Sequence, residues 1–395
     1  MRILLVNHFP LEGSGSGVYT KNIASQLSKN GHEVKVIVVD NEPAGNYDFP
    51  VRVINNYQFP CFTTHPKSNN TFYNLSPQEM NDYLNDFITT IKEEVNKFKP
   101  DLIHSQHIWV AAYASSHYNI PYVVTAHGTD IKGYNKDKRY HNIAQKAAKR
   151  AEKIITISRQ VHNDVRKHFQ VPEERLELIL NGFDEKIFKP MKINKNELLK
   201  SLLNSKISNG KIDKNTKIVN FVGKLADFKG IDLLLKAAKL YEKEIPGVIT
   251  LISGDGHLKE NLQDLTKKLE LKSVYFLGNQ PQTTVAKLYN IADLAVVPSR
   301  IEPFGLVAVE ALACGTPVIA SNAGGLPDFI NDKVGRLFPM DNYKALSKNI
   351  ISALKNEEKK SKGSYAAKYA RANFSWERVI EELIKVYKNI LSTGR

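Results

Sequence analysis

Short apolar runs alternate with longer amphipathic segments through the first half of the chain. The runs are rich in β-branched residues, as are strands buried on both faces of a parallel sheet. The predicted strands are Ile3–Val6, Val34–Val39, Val51–Ile54, Leu102–His104, Tyr122–Thr125, Ile154–Ile157 and Leu176–Leu180. Helical patterns lie between them, as at Val18–Lys29, Ser76–Phe98 and Arg159–His168. This alternation predicts a doubly wound α/β domain.

The same alternation begins again after a stretch rich in lysine and asparagine, residues 183–217. The second set of predicted strands is Ile218–Val222, Val248–Ile252, Val274–Leu277, Leu294–Val297 and Pro317–Ala320. The helices predicted between them include Ile231–Tyr241, Leu258–Leu269, Thr284–Asn290 and Gly305–Cys314. The sequence therefore predicts two tandem Rossmann-like domains with a junction near Phe188–Pro190. Ligands of such folds bind at the carboxyl ends of the strands, so we expect a reaction in the cleft between two domains.

Composition narrows the class of protein. The 395 residues exceed one ordinary core, and 42% hydrophobic with 24% charged residues is typical of a soluble globular chain. No run is long enough to span a bilayer, and the N-terminus shows no signal-peptide pattern. The two cysteines, Cys61 and Cys314, lie far apart, which argues against a disulfide framework and favours a cytoplasmic location. The spacing of His and Cys residues matches no metal-binding motif.

The net charge of +14 is concentrated in part between residues 130 and 167, which hold 11 Lys or Arg against 4 Asp or Glu. A basic helical segment of this kind can hold an anionic substrate or lie against anionic lipid at the inner face of a membrane. A solvated surface helix explains the same composition. Nucleic acid is disfavoured as a partner, because the basic residues are not interleaved with stacking aromatics.

A glycine loop, Gly13, Gly15 and Gly17, follows the first predicted strand. Glycine tolerates unusual backbone angles and lets a ligand approach the main chain closely. The spacing G-x-G-x-G differs from the dinucleotide fingerprint G-x-G-x-x-G, and a nicotinamide site is therefore disfavoured.

Two further segments carry charged side chains at the ends of predicted strands. Lys224 and Lys229 follow the first strand of the second domain and precede a helix, a suitable site for phosphate oxygens. Glu302 and Glu310 stand on either side of seven residues that include Pro-Phe-Gly. Glu310 falls within an apolar helix, where a carboxylate needs a partner. A ribose diol would supply two hydrogen bonds, and a structural ion pair with a lysine is the alternative.

Together, these segments resemble the retaining, nucleotide-sugar-dependent glycosyltransferases of family 4, which have the GT-B fold. The pieces that carry the resemblance are "GSGSG", "TAHGTD", "LNGFDEKIFKP", "GKLADFKG", "ISGDG", "FLGNQPQTTVAKLYNIADLAVVPS" and "EPFGLVAVEALACGTPVIASNAGGLPDFI". The resemblance implies an acceptor domain at 1–188, a donor domain at 189–375, and a C-terminal helix within 376–395 that returns to the first domain.

The resemblance also implies roles for individual residues. The catalytic set would be His127, Lys224, Lys229 and Glu302. The donor-binding set would be Gly15, Gly17, Gly223, Gly254, Gly256, Gly278, Phe304, Gly305, Leu306 and Glu310. Many relatives have an aspartate directly after the histidine. This chain has Gly128 there, and Asp130 comes two residues later.

The implied reaction is transfer of a hexose from a UDP-sugar, favoured over a GDP-sugar, to a hydroxyl acceptor. The chain has no Asp-x-Asp pair, so we expect Lys224, Lys229 and helix N-termini to stabilise the leaving diphosphate without a metal or other cofactor. Front-face return is favoured over a covalent intermediate on Glu302. The alternatives are a nucleotide-sugar 2-epimerase, a sugar phosphorylase, and an inactive binding protein on the same fold.

The acceptor is the least specified part of the site. It could be a soluble sugar, a polyol or a lipid-linked glycan. The polar and aromatic stretch after the third strand, with the ends of the next two strands, provides residues that could line its site. The candidates are Asn70, Tyr73, His107, Trp109 and Asp130, with His65, Asn69 and Gln106 considered beside them.

Overall fold

A computed structural model describes residues 1–41, 45–56, 58–62, 65–203 and 215–393 of the chain. These divide into two compact units. Unit 1 comprises Met1–Gly182 and Trp376–Arg395, and unit 2 comprises Phe183–Ser375. Unit 1 thus ends at Gly182, a little before the junction predicted at residue 188. Parts of two predicted segments lie outside the described residues. They are residues 394–395 of the C-terminal segment and residues 204–214 of the lysine-rich stretch.

Unit 1 is built on a seven-stranded parallel sheet in the order β3-β2-β1-β4-β5-β6-β7. The strands are β1 (Arg2–Asn7), β2 (Glu33–Asp40), β3 (Val51–Asn55), β4 (Leu102–Gln106), β5 (Tyr122–Ala126), β6 (Lys153–Thr156) and β7 (Leu176–Leu178). The described helices of unit 1 are α1 (Gly15–Lys29), α2 (Pro77–Phe98), α3 (Val110–Ser115), α4 (Thr129–Lys136), α5 (His141–Arg150), α6 (Arg159–Phe169) and, from the end of the chain, α14 (Trp376–Thr393).

Local signals fix where the longer helices of unit 1 begin. Ser14 precedes α1, and its hydroxyl accepts the N–H of Gly17 at 3.0 Å. Ser76 and Glu79 form a reciprocal capping box at the start of α2, with Pro77 as the first helical residue. Central strands β4 and β5 are buried along their whole length, so their polar residues His104, Ser105, Gln106 and Thr125 lie inside the fold.

Unit 2 contains a six-stranded parallel sheet in the order β10-β9-β8-β11-β12-β13. The strands are β8 (Ile218–Val222), β9 (Ile249–Ser253), β10 (Val274–Gly278), β11 (Leu294–Val297), β12 (Val318–Ser321) and β13 (Gly335–Phe338). The described helices are α7 (Lys195–Leu203), α8 (Ile231–Glu244), α9 (Lys259–Lys268), α10 (Gln282–Ile291), α11 (Leu306–Ala313), α12 (Tyr343–Lys355) and α13 (Glu358–Phe374). Both units are Rossmann-like, as the alternating pattern predicted.

Helix α14 completes the core of unit 1 although it comes last in the sequence. Its apolar face packs with α1 and with strands β1 and β2 in one hydrophobic cluster. Tyr387 also forms a 2.6 Å hydrogen bond between its hydroxyl and Nδ1 of His104 on β4. Within the described residues, no helix is long and apolar enough to cross a membrane.

Candidate active site

The loops that follow β8, β9 and β10 lie against one another at the carboxyl edge of the unit 2 sheet. Gly223 donates its N–H to the carbonyl of Ser253 at 3.0 Å, and Gly254 donates to the carbonyl of Gly278 at 2.8 Å. Gly254 has φ +136°, and a Cβ there would lie 1.9 Å from the carbonyl oxygen of Gly223. A side chain at Gly254 would push these loops apart. The fold thus brings together Gly223, Gly254 and Gly278, with Gly256 held against the Leu225 carbonyl.

Lys229 and Glu302 form an ion pair that the sequence did not predict. Lys229 ends the short 3-10 turn Asp227–Lys229, and its Nζ lies 2.6 Å from Oε2 of Glu302. Ser299 donates its hydroxyl to the same oxygen at 3.0 Å. Only 7% of Glu302 is exposed. The ammonium and the hydroxyl therefore provide the compensation that a buried carboxylate needs.

Backbone contacts hold the two partners of this pair in place. The N–H groups of Arg300 and Ile301 both donate to the carbonyl of Phe228, at 2.8 and 3.2 Å. These bonds join the loop after β11 to the turn that carries Lys229. Lys224 lies exposed on the same loop after β8, five residues before Lys229. Two cationic side chains thus share the loop at this edge of the sheet.

Glu310 lies in α11 and is partly buried. Its carboxylate contacts no hydrogen-bond or ion-pair partner among the described residues, and burial raises its pKa to about 8. Its charge in turn contributes to raising the pKa values of Tyr289 and Cys314, after the larger effect of their burial. The structure thus places an easily protonated carboxyl group, without a partner among the described residues, about one helical turn from the N-terminus of α11.

Three residues predicted to bind the donor, Phe304, Gly305 and Leu306, lie at the start of α11. Gly305 is the residue before the helix, with φ +110°, and a Cβ there would lie 2.7 Å from a methyl carbon of Leu326. Phe304 is buried against Phe329, with ring centroids 5.4 Å apart. Leu306 is the first helical residue, and its N–H is one of the helix donors that cannot bond within the helix. Helix α11 therefore begins one residue later than the predicted Gly305–Cys314.

The glycine loop of unit 1 leads directly into α1. Gly13 has φ +86° and lies against the ring of His65, and Gly17 is buried inside the helix. A Cβ on Gly17 would lie 2.1 Å from the carbonyl oxygen of Pro10. Gly13 and Gly15 are exposed, and of the three glycines only Gly15 has open space around the position of a Cβ. Gly17 is thus used for packing, while Gly15 presents main chain to solvent.

Three histidines follow neighbouring strands of the unit 1 sheet. His8 comes after β1, His107 after β4 and His127 after β5. The ring centroids of His8 and His107 lie 4.9 Å apart, and those of His107 and His127 lie 4.7 Å apart. Burial, together with the neighbouring histidines, holds the pKa values of His8 and His127 well below the usual range. These two imidazoles are therefore neutral at physiological pH.

Asp130, in the first turn of α4, lies next to His107 of this cluster and is 1% exposed. Its Oδ2 accepts the N–H of Ile108 at 2.9 Å and lies 3.8 Å from Nδ1 of His107. Burial would raise the pKa of Asp130, but the contacts with His107 and Ile108 outweigh it and lower that pKa. The aspartate thus anchors the loop after β4, where His107 adopts φ +68°.

The other predicted acceptor residues range from fully buried to partly exposed. Trp109 is fully buried and stacks on Tyr140 at 4.2 Å between ring centroids. Asn70 is tied into its own loop, since its side-chain amide donates to the carbonyl of Gln58 at 3.0 Å. Tyr73 is half-buried, with Nζ of Lys136 3.9 Å from its ring centroid.

The basic segment 130–167 is not one continuous helix but includes α4, α5, β6 and most of α6. Part of its charge serves the fold of unit 1. Arg139 donates to the carbonyls of Leu75 and Tyr73, at 2.6 and 3.0 Å, and pairs with Asp137. Others, such as Lys149, are exposed on α5. Among the described residues no group of three or more His, Cys, Asp or Glu side chains could hold a metal ion.

For three polar residues of these clusters, the sequence did not predict the contacts that the structure shows. His8 and Ser299 were not predicted, and Gln106 was considered only as a lining residue. Nε2 of His127 lies 2.9 Å from Oε1 of Gln106. The signal common to all three is a polar residue at, or just after, the carboxyl end of a buried strand.

Comparison with known proteins gives matches over both units. The family model described as "Glycosyltransferase Family 4" matches residues 13–186, and the one described as "Glycosyl transferases group 1" matches residues 204–370. An uncharacterized glycosyltransferase of Methanocaldococcus jannaschii is 30% identical, over 95% of this chain and 94% of its own. The D-inositol 3-phosphate glycosyltransferase of Corynebacterium jeikeium is also 30% identical, over 100% and 98%.

Solved structures show the same architecture. Sucrose-phosphate synthase from Thermosynechococcus elongatus matches with a TM-score of 0.79 and 23% identity, over 99% of both chains. The Anabaena protein HepE in complex with UDP matches with a TM-score of 0.75 and 21% identity, over 98% of this chain and 100% of its own. These similarities establish the fold that the sequence predicted, two Rossmann-like domains of the GT-B type.

Proposed function

Because the chain belongs to the GT-B glycosyltransferases of family 4, we propose that it moves a hexose-type sugar from a nucleoside diphosphate to a hydroxyl acceptor, with retention of the anomeric configuration. Glucose, N-acetylglucosamine, galactose and mannose are the candidate sugars. A UDP-sugar is the favoured donor over a GDP-sugar, since HepE is known in complexes with UDP and with UDP-glucose. The observation that carries the proposal is the Lys229–Glu302 pair in the loops at the carboxyl edge of the unit 2 sheet.

The donor diphosphate would lie at this edge. Lys229 and Lys224 supply positive charge on one loop, and the N-terminus of α11 supplies N–H donors such as that of Leu306. When the sugar leaves, the diphosphate gains negative charge, and fixed cationic groups stabilise that charge in the transition state. Losing one such contact would cost about 3 kcal/mol of barrier, or roughly a hundredfold in rate. On this proposal the reaction needs no metal.

Glu310 would bind the ribose of the donor. A carboxylate accepts both hydroxyl protons of a diol, and the carboxyl group of Glu310 has no competing partner among the described residues. Its raised pKa fits a group whose charged form gains a partner only when a ligand arrives. Glu302, already held by Lys229 and Ser299, would accept hydroxyls of the transferred sugar.

The chemistry would follow the front-face route. The transition state resembles an oxocarbenium ion, and the departing phosphate accepts the proton of the acceptor hydroxyl. The pairing of Glu302 with Lys229 supports a binding role over a nucleophilic one, because the ammonium stabilises the carboxylate as an ion. Neutral His127 would bind a hydroxyl of the sugar, and unit 1 would supply the acceptor site.

The acceptor is proposed only as a hydroxyl compound. A relative at 30% identity is named for D-inositol 3-phosphate, and a phosphorylated polyol is therefore the first acceptor to test. Exposed basic residues of segment 130–167, such as Lys149, would favour an anionic acceptor or an anionic lipid surface. We propose a cytoplasmic location, consistent with two buried cysteines that form no disulfide bond within the described residues.

A direct assay tests the proposal. The full chain is incubated with UDP- and GDP-sugars, with and without polyol phosphates, and free nucleoside diphosphate is measured. We expect slow release without acceptor, faster release with the right acceptor, and about a hundredfold loss in Lys229→Ala. Lys267→Ala is the control, since that lysine on α9 is 79% exposed and pairs only locally with Asp264.

Each other outcome contradicts a particular part of the proposal. Formation of an epimerised nucleotide sugar in place of transfer would identify a 2-epimerase. Binding of nucleotide without turnover of any donor would identify an inactive binding protein. A product of inverted anomeric configuration, seen by proton NMR, or a trapped glycosyl ester on Glu302 would overturn the front-face mechanism.

A further inference from the structure

The side chain of Gln106 is completely buried at the end of β4, and it bonds to His127 across the sheet. Its Oε1 lies 2.9 Å from Nε2 of the imidazole. An amide oxygen can only accept a hydrogen bond, so in this orientation Nε2 of His127 carries the proton. No described residue bonds to Nδ1 of His127.

The surroundings of His127 keep the ring neutral. Burial is the largest influence on its pKa, and the neighbouring His107 and His104 lower it further. Asp130 acts in the opposite direction, but the pKa remains well below the usual range. The ring of Tyr19, on α1, meets the imidazole edge-on at 5.2 Å between centroids. A neutral imidazole has one N–H and one lone pair, and which nitrogen has which depends on the partner.

His127 differs from the other two histidines of the cluster in its access to solvent. It is 8% exposed, whereas His8 is 0% and His107 is 2% exposed. Gly128 follows with φ +86° and leads into α4. The nitrogen available for a ligand is therefore Nδ1 of His127, since Gln106 covers Nε2.

We propose that Gln106 is a positioning residue, which fixes His127 as the tautomer with hydrogen on Nε2 and so presents the lone pair of Nδ1 to a hydroxyl of the sugar substrate. This inference rests on the proposed glycosyl transfer, although the tautomer itself does not. In this state His127 accepts a hydrogen bond from the hydroxyl and places no positive charge beside the oxocarbenium-like sugar. Asp130 and His107 hold the loops around it.

The tautomer can be read directly, without any activity. The full-length protein is labelled with ¹⁵N-histidine, and the nitrogen shifts and couplings of His127 are assigned with a His127→Gln variant. We expect a protonated Nε2 and an unprotonated Nδ1 at pH 7. The reverse pattern would show that the amide of Gln106 donates to the ring, and an equal mixture would show that it fixes nothing; either overturns the inference while leaving the proposed function standing.

Two variants test the consequence for catalysis. Gln106→Leu removes the acceptor at nearly constant size, and we expect a mixed tautomer with kcat lowered about tenfold while KM for the nucleotide sugar stays within about twofold. Gln106→Glu keeps an acceptor oxygen. It should restore the tautomer, and its negative charge should move the acidic limb of the pH profile of kcat to higher pH.

Tyr387→Phe is the matched control, because it removes a buried bond of 2.6 Å to a different histidine, His104. We expect it to lower thermal stability without changing the His127 tautomer or the pH profile. If Gln106→Leu kept full kcat, or if Tyr387→Phe changed the pH profile as much as Gln106→Glu, the positioning role would be wrong. If the wild-type chain transferred no sugar while the Nε2–H tautomer was found, the proposed function would fail and the positioning of His127 would stand.

Discussion

At the scale of single residues, Glu310, the group proposed to bind the ribose, shows how a ligand site can weaken a fold. Its carboxyl group lies partly buried in α11 without a partner among the described residues, and its pKa rises to about 8. A protein built only for stability would place an apolar residue there or provide a lysine. The sequence indicated the conflict, since a glutamate stands among apolar residues, but it could not say whether a partner was present.

The pH dependence of stability tests this view of Glu310. Its pKa is about 8 in the folded chain against 4.5 in a free side chain, so the folded state holds the proton more tightly. Below pH 4.5 Glu310 is protonated in both the folded and the unfolded chain, and its contribution to the free energy of unfolding is fully present. Between pH 4.5 and pH 8 the side chain ionises in the unfolded chain but stays protonated in the folded chain, so this contribution is lost progressively as the pH rises. The loss from this group would be at most about 1.4 kcal/mol for each pH unit.

We therefore expect Glu310→Gln, which cannot ionise, to become more stable relative to the wild type at each step from pH 5 to pH 8. Calorimetric midpoints of the two proteins at four pH values measure the difference. A difference independent of pH would mean that Glu310 is ionised and compensated in the folded chain. The conservative variant Glu310→Asp should keep a pH dependence.

The Lys229–Glu302 pair leads to a prediction that separates stability from activity. Lys229→Met leaves a buried carboxylate without its cation, and should destabilise unit 2 by about 3 kcal/mol. Adding Glu302→Gln removes that unpaired charge and should recover most of the stability. Activity should remain lost in the double variant, because the proposed diphosphate site still lacks its cation. Urea unfolding and donor hydrolysis measure the two effects.

Lys236→Met serves as the control for this series. Lys236 pairs with Asp232 one turn away on α8 and is 42% exposed, so the change should cost under about 0.5 kcal/mol. Full recovery of both stability and turnover in the Lys229→Met, Glu302→Gln double variant would show that the pair is structural only.

At the scale of elements, the loop after β12 packs against the main chain of Glu302. Gly324 has φ +62°, and a Cβ there would lie 1.7 Å from the main-chain oxygen of Glu302. The next N–H, of Gly325, donates to the same oxygen at 3.0 Å. Two loops that follow different strands are thus in main-chain contact, and the position of Glu302 depends on a residue without a side chain.

Gly324→Ala is expected to destabilise unit 2 by more than about 2 kcal/mol and to lower activity strongly, because main chain cannot move aside as a flexible side chain can. Gly247→Ala is the matched control. Gly247 also has a positive φ, +73°, but no atom lies within 4 Å of its Cβ position. It should cost only the left-handed strain of about 1 to 2 kcal/mol and leave activity unchanged. Equal effects of the two variants on turnover would contradict the proposed support.

The elements also show what a sequence reveals and what it leaves open. Strand β8 occupies the predicted residues Ile218–Val222, because apolar and β-branched residues around a single buried asparagine are typical of a strand inside a parallel sheet. Strand β13, Gly335–Phe338, was missed, since its short run contains a glycine and an arginine. The sequence singled out Lys229 and Glu302 as site candidates, but their contact joins positions 73 residues apart. No local pattern encodes such a distance, and the same holds for Gln106 and His127.

At the scale of the whole molecule, the chain enters unit 2 once and leaves it once. The main chain of Phe183 donates to the carbonyl of Phe374 at 3.1 Å within unit 2. Within unit 1, a Cβ on Gly182 would lie 2.6 Å from the ring of Trp376. These contacts place the boundary between unit 1 and unit 2 between residues 182 and 183. The sequence showed only a change of composition over residues 183–217 and no sign of these contacts, and the junction was therefore predicted a few residues later, near Phe188–Pro190.

The position of α14 in unit 1 has a consequence for folding. The helix buries seven large side chains, Trp376, Val379, Ile380, Leu383, Val386, Tyr387 and Ile390. At about 1.5 to 3 kcal/mol for each, their burial contributes about 10 to 20 kcal/mol, as much as the whole net stability of a typical domain. Unit 1 without α14 should therefore fail to reach a stable native state.

Fragments of the chain test this. Residues 1–182 alone should show no cooperative unfolding transition, whereas 1–182 with a synthetic peptide of residues 376–393 should recover one. Trp109, which is fully buried, is the single tryptophan of 1–182 and reports its unfolding by fluorescence; the peptide adds Trp376, so the unfolding of the mixture is followed by far-UV circular dichroism. A peptide in which Leu383 and Tyr387 are replaced by serine is the control and should not rescue. Cooperative unfolding of 1–182 alone, at the midpoint of the intact chain, would show that α14 only covers a core that is already complete.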